Sequence, residues 1–176
     1  MLTAPRATDL IDRMGQEIKQ LIHTGSIERP LLVGIHTGGA WIAERLHRQL
    51  KVDDPLGTLD ISFYRDDFSR AGINPRVKPS TLPLSVDERH IVLVDDVLFT
   101  GRTIRAALNE IFDYGRPASV MLAVLIDRGG RELPIEARVV GYKLKLMPHQ
   151  HVKLSGPEPL ELKIVNTQAA AGGETP

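Results

Sequence analysis

Two adjacent acids follow a short apolar stretch near the middle of the chain, and they constrain its fold more than any other feature. Residues 91–94 read Ile-Val-Leu-Val, and Asp95 and Asp96 come directly after them. A Thr-Gly turn at 100–103 follows, and a helical pattern begins there. This order predicts a buried strand whose carboxyl end bears two carboxylates and faces a helix N-terminus. Ligands of open α/β sheets bind at that edge, so the stretch predicts both the fold class and the place of the site.

Strands and helices alternate along the rest of the chain. Helical spacing of apolar residues predicts helices over 8–23, 40–50 and 103–114, with Thr8 capping the first. The predicted strands cover 31–35, 58–64, 91–94, 118–126, 137–141, 152–154 and 160–165. This alternation favours an α/β fold with a mostly parallel central sheet and helices on both faces. We expect one domain over residues 1–165 and a disordered tail over 166–176, which is polar and Gly-rich.

Composition narrows the classes of function. The chain has 176 residues, of which 42% are hydrophobic and 25% are charged, as in an ordinary soluble domain. Its formal net charge is zero, so bulk electrostatics gives no sign of a nucleic acid or a membrane surface as partner. The sequence contains no cysteine, which excludes disulfides and thiolate chemistry. No segment has the pattern of a signal peptide or a transmembrane span, and we expect a cytoplasmic protein.

The residues around the acid pair suit a phosphorylated sugar. The first turn of a helix offers a phosphate unpaired N–H groups and a partial positive charge. Gly101 lets the backbone approach the phosphate closely, and the hydroxyls of Thr100 and Thr103 add donors. Asp95 and Asp96 would repel that phosphate, but they can accept hydrogen bonds from a ribose diol. The combination predicts a ribose 5-phosphate site.

A plain strand end followed by a capped helix is the alternative interpretation. Acid pairs also occur at 53–54 and 66–67, so the pair alone is weak evidence. Only 95–96 follows a buried apolar run and precedes a Thr-Gly turn, and this context favours binding. Residues 34–39 form a second strand–turn–helix sequence, for which a second anion site and a tight glycine turn are both open interpretations.

A long segment at 65–83 has no strong period and contains Gly72 and several prolines. Long loops in compact domains are commonly functional or mobile. The cations Arg65, Arg76 and Lys78 fit a flexible lid that closes over an anionic ligand. A solvated loop is an equally open interpretation.

The stretch 92–103 resembles the 5-phosphoribosyl-1-diphosphate (PRPP) motif of type I phosphoribosyltransferases. Within that superfamily the chain is most similar to the pyrimidine operon regulator/uracil phosphoribosyltransferase family, PyrR. The narrower similarity rests on residues 34–37, 60–67 and 127–135, the last of which contains Arg-Glu-Leu-Pro-Ile. The resemblance covers about 9–165 and implies a type I phosphoribosyltransferase fold with a small hood built from the chain ends.

The resemblance implies a glycosyltransferase that converts uracil and PRPP to UMP and pyrophosphate, with Mg²⁺ as cofactor and a homodimer or larger homo-oligomer as assembly. It implies Asp95, Asp96 and Arg128 as catalytic residues. The residues implied to bind PRPP or UMP are Thr37, Gly38, Gly39, Asp95, Asp96, Val97, Leu98, Phe99, Thr100, Gly101, Arg102, Thr103, Arg128 and Val152. The substrate would hold the metal, with Asp95 and Asp96 as the protein groups nearest to it.

Three departures from the family pattern keep other functions open. The family usually has Thr-Arg-Gly at 37–39, His where Gly130 stands, and Gly-Lys-Asn-(aliphatic)-Pro-Thr near 141–148, which helps to form the base pocket. One alternative is a phosphoribosyltransferase for another base. Another is a regulator, responsive to UMP or UTP, that binds pyrimidine-operon mRNA with weak or no catalysis. RNA binding needs a basic face or a stacking platform, and zero net charge with 5% aromatic residues gives it no support.

Overall fold

A computed structural model of the chain describes residues 5–61 and 80–166. The helices are α1 (Ala7–His23), α2 (Gly38–Leu50) and α3 (Arg102–Tyr114). The strands are β1 (Leu31–Ile35), β2 (Gly57–Leu59), β3 (His90–Leu98), β4 (Ser119–Asp127), β5 (Val139–Lys143), β6 (Gln150–Ser155) and β7 (Glu161–Asn166). Each corresponds to a predicted element, and the largest difference in the fully described ones is at the end of β3.

The central sheet has five parallel strands in the order β2-β1-β3-β4-β5. The chain moves outward from β1 to β2 and then returns to the other side of β1 to form β3. The strand order therefore reverses between β1 and β3, where Gly34 lies opposite Val94. In sheets of this order the carboxyl ends at that reversal form the crevice that binds ligands. Both predicted anion-binding turns leave the sheet at this crevice.

Both faces of the sheet are covered, which explains the continuous apolar runs of its strands. Side chains of β3 alternate between the faces: Val92 and Val94 pack with α1 and α2, whereas Ile91 and Leu93 pack with α3. Every residue of β1 is buried. The two cores hold the middle of the sheet rigidly and fix the positions of the strand ends. The predicted α/β architecture is confirmed.

A separate antiparallel hairpin of β6 and β7 follows β5. Leu154 and Leu160 bury their side chains in the same core as α1 and α2, and Arg45 of α2 donates to the Pro157 carbonyl at 3.2 Å. Of the two chain ends predicted to form a hood, the C-terminal one forms this hairpin. The N-terminal one forms α1, which packs against α2 and β5.

Two local predictions need correction, and others lie outside the described residues. Thr8 is not the cap of α1, because the helix begins at Ala7 and Arg6 occupies the N-cap position. Asn166 was placed in the tail, yet it closes β7 opposite Gln150. The rest of that tail and the lid cations Arg65, Arg76 and Lys78 lie outside the described residues. Within 5–61 and 80–166, no helix has the length and apolar character to cross a membrane.

Candidate functional site

The turn after β1 lies directly against the acid pair of β3. A Cβ atom added to Gly39 would lie 2.4 Å from the carbonyl oxygen of Val94 and 2.9 Å from the Cα of Asp95. A Cβ added to Gly38 would lie 2.3 Å from Oδ2 of Asp96. The absence of side chains at these two positions is what allows the turn and the strand to approach. The two motifs found separately in the sequence thus form one site.

The acid pair lies within β3 and not after it. The predicted strand ended at Val94, whereas β3 continues to Leu98 and pairs Val97 with Ile126 of β4. Asp95 is only 2% exposed, and its Oδ1 accepts the N–H of Asp96 at 2.9 Å. Asp96 is half-buried, and its Oδ1 accepts the N–H of Val97 at 2.9 Å. Asp96 is therefore the carboxylate that a ligand can reach more readily.

The turn after β3 has the features of an anion site. Gly101 takes a left-handed conformation with φ of 92° and is the N-cap of α3, with no side-chain cap. Thr100 Oγ1 accepts the N–H of Arg102 at 3.2 Å, which leaves the hydroxyl proton for another acceptor. The first N–H groups of a helix have no partner within the helix. A phosphate placed here would receive hydrogen bonds from these groups and favourable interaction with the helix dipole.

The turn after β1 presents a second helix N-terminus at the same edge. Thr37 is exposed at the N-cap of α2 and makes no side-chain capping bond. The peptide bond between His36 and Thr37 is cis, and the His36 N–H donates to the Leu59 carbonyl of β2 at 2.8 Å. The N-terminus of α2 thus lies against the carboxylate of Asp96, and the N-terminus of α3 follows the same strand at the same edge of the sheet. A ligand with two anionic groups joined by a diol-bearing ring matches this charge pattern.

Arg128 stands over the ring of Phe99 at the neighbouring strand end. Its Cζ lies 3.9 Å from the ring centroid, and its N–H donates to the Leu98 carbonyl at 3.1 Å. Burial lowers the pKa of the Arg128 guanidinium from its ordinary value. A guanidinium over an aromatic face keeps its charge while its edge donors remain directed outward. The Arg128 guanidinium thus lies beside the turn after β3.

Sequence reasoning missed the segment that supports this turn. The Glu132 and Leu133 N–H groups donate to the Thr100 carbonyl at 3.0 and 3.2 Å. Arg131 donates to the Phe99 carbonyl at 2.8 Å. The Arg-Glu-Leu-Pro-Ile stretch had served only as a sign of family, yet it is the physical support of the phosphate turn. No local sequence pattern predicts a contact between segments this far apart in the chain.

Comparisons with known proteins bear on this site. A family model for the phosphoribosyl transferase domain matches residues 2–157. A curated bifunctional protein PyrR of Nitrosococcus oceani is 59% identical over 160 residues, which cover 90% of this chain and 86% of that protein. The chain belongs to the PyrR family. The PyrR protein of Pseudomonas aeruginosa is 56% identical over 162 residues, 92% of this chain and 95% of that protein.

Solved structures similar to this chain carry the same fold. A hypoxanthine-guanine phosphoribosyltransferase of Bacillus anthracis superposes with a TM-score of 0.63 over 81% of each chain at 18% identity. A hypoxanthine phosphoribosyl transferase of Trypanosoma cruzi gives 0.61 over 80% of this chain and 76% of that one at 22% identity. At these identities they show the fold alone. The predicted family, fold class and glycosyltransferase class are confirmed.

Gly38, the first departure from the family pattern, has a steric explanation. Most family members were expected to carry arginine where this chain has Gly38. Here the carboxylate of Asp96 occupies the space into which a Cβ would project, with Oδ2 at 2.3 Å and Cγ at 2.7 Å. An arginine added at this position would displace that carboxylate. An anion bound at this turn would therefore be held by backbone N–H groups and the helix dipole, with no arginine contributed from position 38.

The structure places four more of the predicted site residues in three different surroundings. Leu98 is buried in the core beneath α3, and Val97 packs against the opposite core, so only their backbones can reach a ligand. Arg102 directs its Nε to Glu132 Oε2 at 2.7 Å on an exposed surface. Val152 pairs with Ile164 in the hairpin and packs its side chain against the core. Its contact with a base remains a prediction.

Gly130, the second departure from the family pattern, leaves room for the ring of Phe99. Its φ is 77°, and an added Cβ would lie 2.6 Å from Cε2 of Phe99. We expect Gly130→Ala to displace the Phe99 ring and lower kcat/KM about tenfold, because the Arg128 guanidinium would no longer be stacked on that ring. Gly129→Ala is the matched control, since Gly129 has φ of 70° and no atom within 4 Å of an added Cβ. Equal losses of activity in the two variants would show that backbone strain alone is responsible.

Asp127 is held as a carboxylate by its neighbours. Burial alone would raise its pKa, but hydrogen bonds from Arg131 and the Gly129 N–H, with the charges of Arg131 and Lys143, outweigh that effect and lower the pKa. Arg131 Nη2 lies 2.7 Å from Asp127 Oδ1. Because the folded pKa lies below the unfolded one, this carboxylate stabilises the fold above the unfolded pKa. The contribution is lost as pH falls through the folded pKa.

We expect Asp127→Asn to lower the free energy of unfolding at neutral pH by about 1–2 kcal/mol. This difference in unfolding free energy should begin to shrink as pH falls below about 3.9, the ordinary pKa of aspartate. It should go on shrinking as pH falls through the lowered pKa of Asp127. Urea unfolding across this range measures it. A difference that stays constant with pH would contradict the assignment of this ion pair.

Proposed function

We propose that the chain transfers the 5-phosphoribosyl group of PRPP to uracil, giving UMP and pyrophosphate. The observation that supports this proposal is that the Asp96 carboxylate lies against the N-terminus of α2, on the strand that leads through the 99–101 turn into α3. PRPP has a phosphate, a ribose diol and a pyrophosphate in that order, and the site offers a partner for each. Thr100 to Thr103 would bind the 5-phosphate, Asp96 the diol, and Thr37 to Gly39 the pyrophosphate.

Catalysis follows from this placement. The bond between C1 and the pyrophosphate oxygen breaks, the new bond from uracil N1 to C1 forms, and the N1 proton leaves to solvent or pyrophosphate. Positive charge develops on the ribose ring, and negative charge develops on the leaving group. Backbone N–H groups at 37–39 stabilise the pyrophosphate where its charge grows. Asp96 orients the ring, and Arg128 donates to a carbonyl of the base or to the pyrophosphate.

The site also suits Mg²⁺, which neutralises charge on the pyrophosphate and ribose oxygens when it is bound. Mg²⁺ is commonly held by one or two carboxylates together with substrate phosphates and water. Asp96 and Asp95 supply such carboxylates beside the pyrophosphate turn. Among the described residues no group of three or more His, Asp and Glu side chains forms a cage of its own. This donor set fits a metal that arrives with the substrate.

A panel of bases tests the proposal. The purified chain is assayed with PRPP, Mg²⁺ and, in turn, uracil, orotate and hypoxanthine. We expect kcat/KM for uracil to exceed the values for the other two by about a hundredfold or more, because a buried site that hydrogen-bonds one base leaves polar groups unpaired with another. Preference for a different base would overturn the substrate. No turnover with any base would leave a binding protein and overturn the catalytic proposal.

A regulatory role is the second function, and the word bifunctional in the names of the relatives favours it. We propose that it consists of binding pyrimidine-operon mRNA in response to UMP or UTP. Electrostatic contact with RNA phosphates weakens as salt rises. Binding of leader RNA should therefore be measured in a salt titration with UMP present. Failure to bind at low salt would contradict this role and leave the catalytic one intact.

We further expect the protein to form a homodimer or larger assembly, which sedimentation tests, and to be located in the cytoplasm.

A further inference from the structure

Arg131 joins three segments around the phosphate turn. Its Nη1 donates to the Phe99 carbonyl at 2.8 Å, its Nε donates to the Ile135 carbonyl at 2.9 Å, and its Nη2 lies 2.7 Å from Asp127 Oδ1. Its side chain is 22% exposed and that of Asp127 is 16% exposed. A guanidinium whose three nitrogens each contact a fixed acceptor is a rigid support, which a flexible ammonium cannot reproduce.

The contacts set the direction of the peptide groups in the turn. A trans peptide is planar, so its C=O and the following N–H point to opposite sides. The Phe99 carbonyl points to Arg131, and the Thr100 N–H therefore points away from it. The Thr100 carbonyl accepts from the Glu132 and Leu133 N–H groups, and the Gly101 N–H likewise points away from that segment. Two consecutive N–H groups are thus turned to one side.

Besides Arg131, the Glu132 and Leu133 N–H groups hold the turn through the Thr100 carbonyl, and the Arg102 N–H donates to Thr100 Oγ1 within it. Gly101 is the N-cap of α3 and makes no side-chain capping bond. Its φ of 92° lies in the left-handed region, which glycine adopts about as readily as a negative φ. The neighbouring exposed pair of Arg102 and Glu132 can contribute little, because both side chains are about half exposed. Arg131 is the better-buried cation of the two, and it also holds Asp127, the residue before Arg128. It therefore supports both the phosphate turn and the strand end that bears the catalytic cation.

We propose that Arg131 is a positioning residue that, through the Phe99 carbonyl, orients the Thr100 N–H group toward the 5-phosphate of PRPP and UMP. This inference rests on the proposed function, because the phosphate is that of the proposed substrate. Arg131 touches no substrate atom and acts through the backbone. Its loss should weaken binding of the phosphate selectively. A merely structural residue would lower stability without distinguishing ligands that bear a phosphate from those that lack one.

The test compares Arg131→Gln and Arg131→Lys with Arg138→Gln, an exposed arginine on the same connection between β4 and β5. Calorimetry measures the affinity for UMP and for uridine, and kinetics gives KM for PRPP and kcat. We expect both Arg131 variants to bind UMP about tenfold to a hundredfold more weakly and to raise KM for PRPP similarly, with kcat changed less. Uridine affinity and all parameters of Arg138→Gln should stay near the parent values.

The outcomes separate the two proposals. A parent protein that binds neither UMP nor PRPP would overturn the proposed function. A parent protein that binds both, with Arg131→Lys equal to it in UMP affinity and KM for PRPP, would overturn the role of Arg131 alone. Equal loss of UMP and uridine affinity would also overturn it. If Arg131→Gln does not fold, Arg131→Lys decides, because lysine keeps the charge beside Asp127 but cannot serve all three acceptors.

Discussion

Replacing Asp96 by asparagine is expected to lower kcat/KM for PRPP by about a hundredfold or more, while the fold remains intact. Asparagine has the same shape and keeps an oxygen that can accept the Val97 N–H, which Asp96 accepts at 2.9 Å. It lacks the negative charge that orients the ribose diol and counters charge developing on the ring. Steady-state kinetics with PRPP as the varied substrate measures the loss.

Asp53→Asn is the matched control for this change. Asp53 also begins an acid pair, but it is exposed and lies outside the site. The control should leave kcat/KM near the parent value. Thermal unfolding of both variants would show that neither has lost its structure. An Asp96→Asn protein with unchanged kcat/KM would remove the ribose from this carboxylate and with it the assigned orientation of PRPP.

The second large effect is expected at Gly39. Gly39→Ala places a methyl group 2.4 Å from the Val94 carbonyl oxygen and 2.9 Å from the Asp95 Cα, both of which belong to the backbone of the central strand. These atoms cannot move without opening the sheet. We expect the free energy of unfolding to fall by about 1–3 kcal/mol, as in overpacked cores, and activity to be lost with it. Urea unfolding and the uracil assay measure the two quantities.

Gly38→Ala offers a sharp contrast at the adjacent position. The three atoms nearest to its added methyl belong to the Asp96 side chain, with Oδ2 at 2.3 Å, Cγ at 2.7 Å and Cβ at 2.9 Å. Rotation of this half-buried side chain moves Oδ2 and Cγ away but leaves Cβ in place. Stability should therefore fall less than in Gly39→Ala, whereas kcat/KM should fall because the Asp96 carboxylate has moved. Equal stability losses at both positions would contradict the distinction between a rigid and a movable neighbour.

The sequence predicted the order of elements well because both faces of the sheet are covered. Continuous apolar runs such as Leu31–Ile35 mark doubly buried strands, and helical periodicity marks the layers around them. The end of β3 was wrong for a physical reason. Its apolar pattern breaks at Asp95 and Asp96, while the hydrogen-bonded ladder to β4 continues to Leu98. Asp95 is buried although it is acidic, and Leu98 is buried at the end of the strand, so the acid pair interrupts the apolar pattern without ending either the burial or the strand.

The supports of the site could not be predicted in the same way. Arg131 and Phe99 are 32 positions apart, and only the parallel pairing of β3 with β4 brings their segments together. The importance of Gly39 is also tertiary, since it depends on the carbonyl of Val94 on another strand. Sequence patterns suggested which groups would contact a ligand, and that assignment stays a prediction. They gave no information on the residues that hold those groups in position.

A crystal structure of the protein soaked with PRPP and Mg²⁺ tests the central claim most directly. The predicted result places the 5-phosphate at about 2.7–3.2 Å from N–H groups of residues 100–103, within hydrogen-bonding distance. The ribose hydroxyls should lie on the carboxylate of Asp96, directly or through a metal-bound water, and the pyrophosphate should lie on the turn at 37–39. Electron density for PRPP in the reverse orientation, or at another edge of the sheet, would contradict the account.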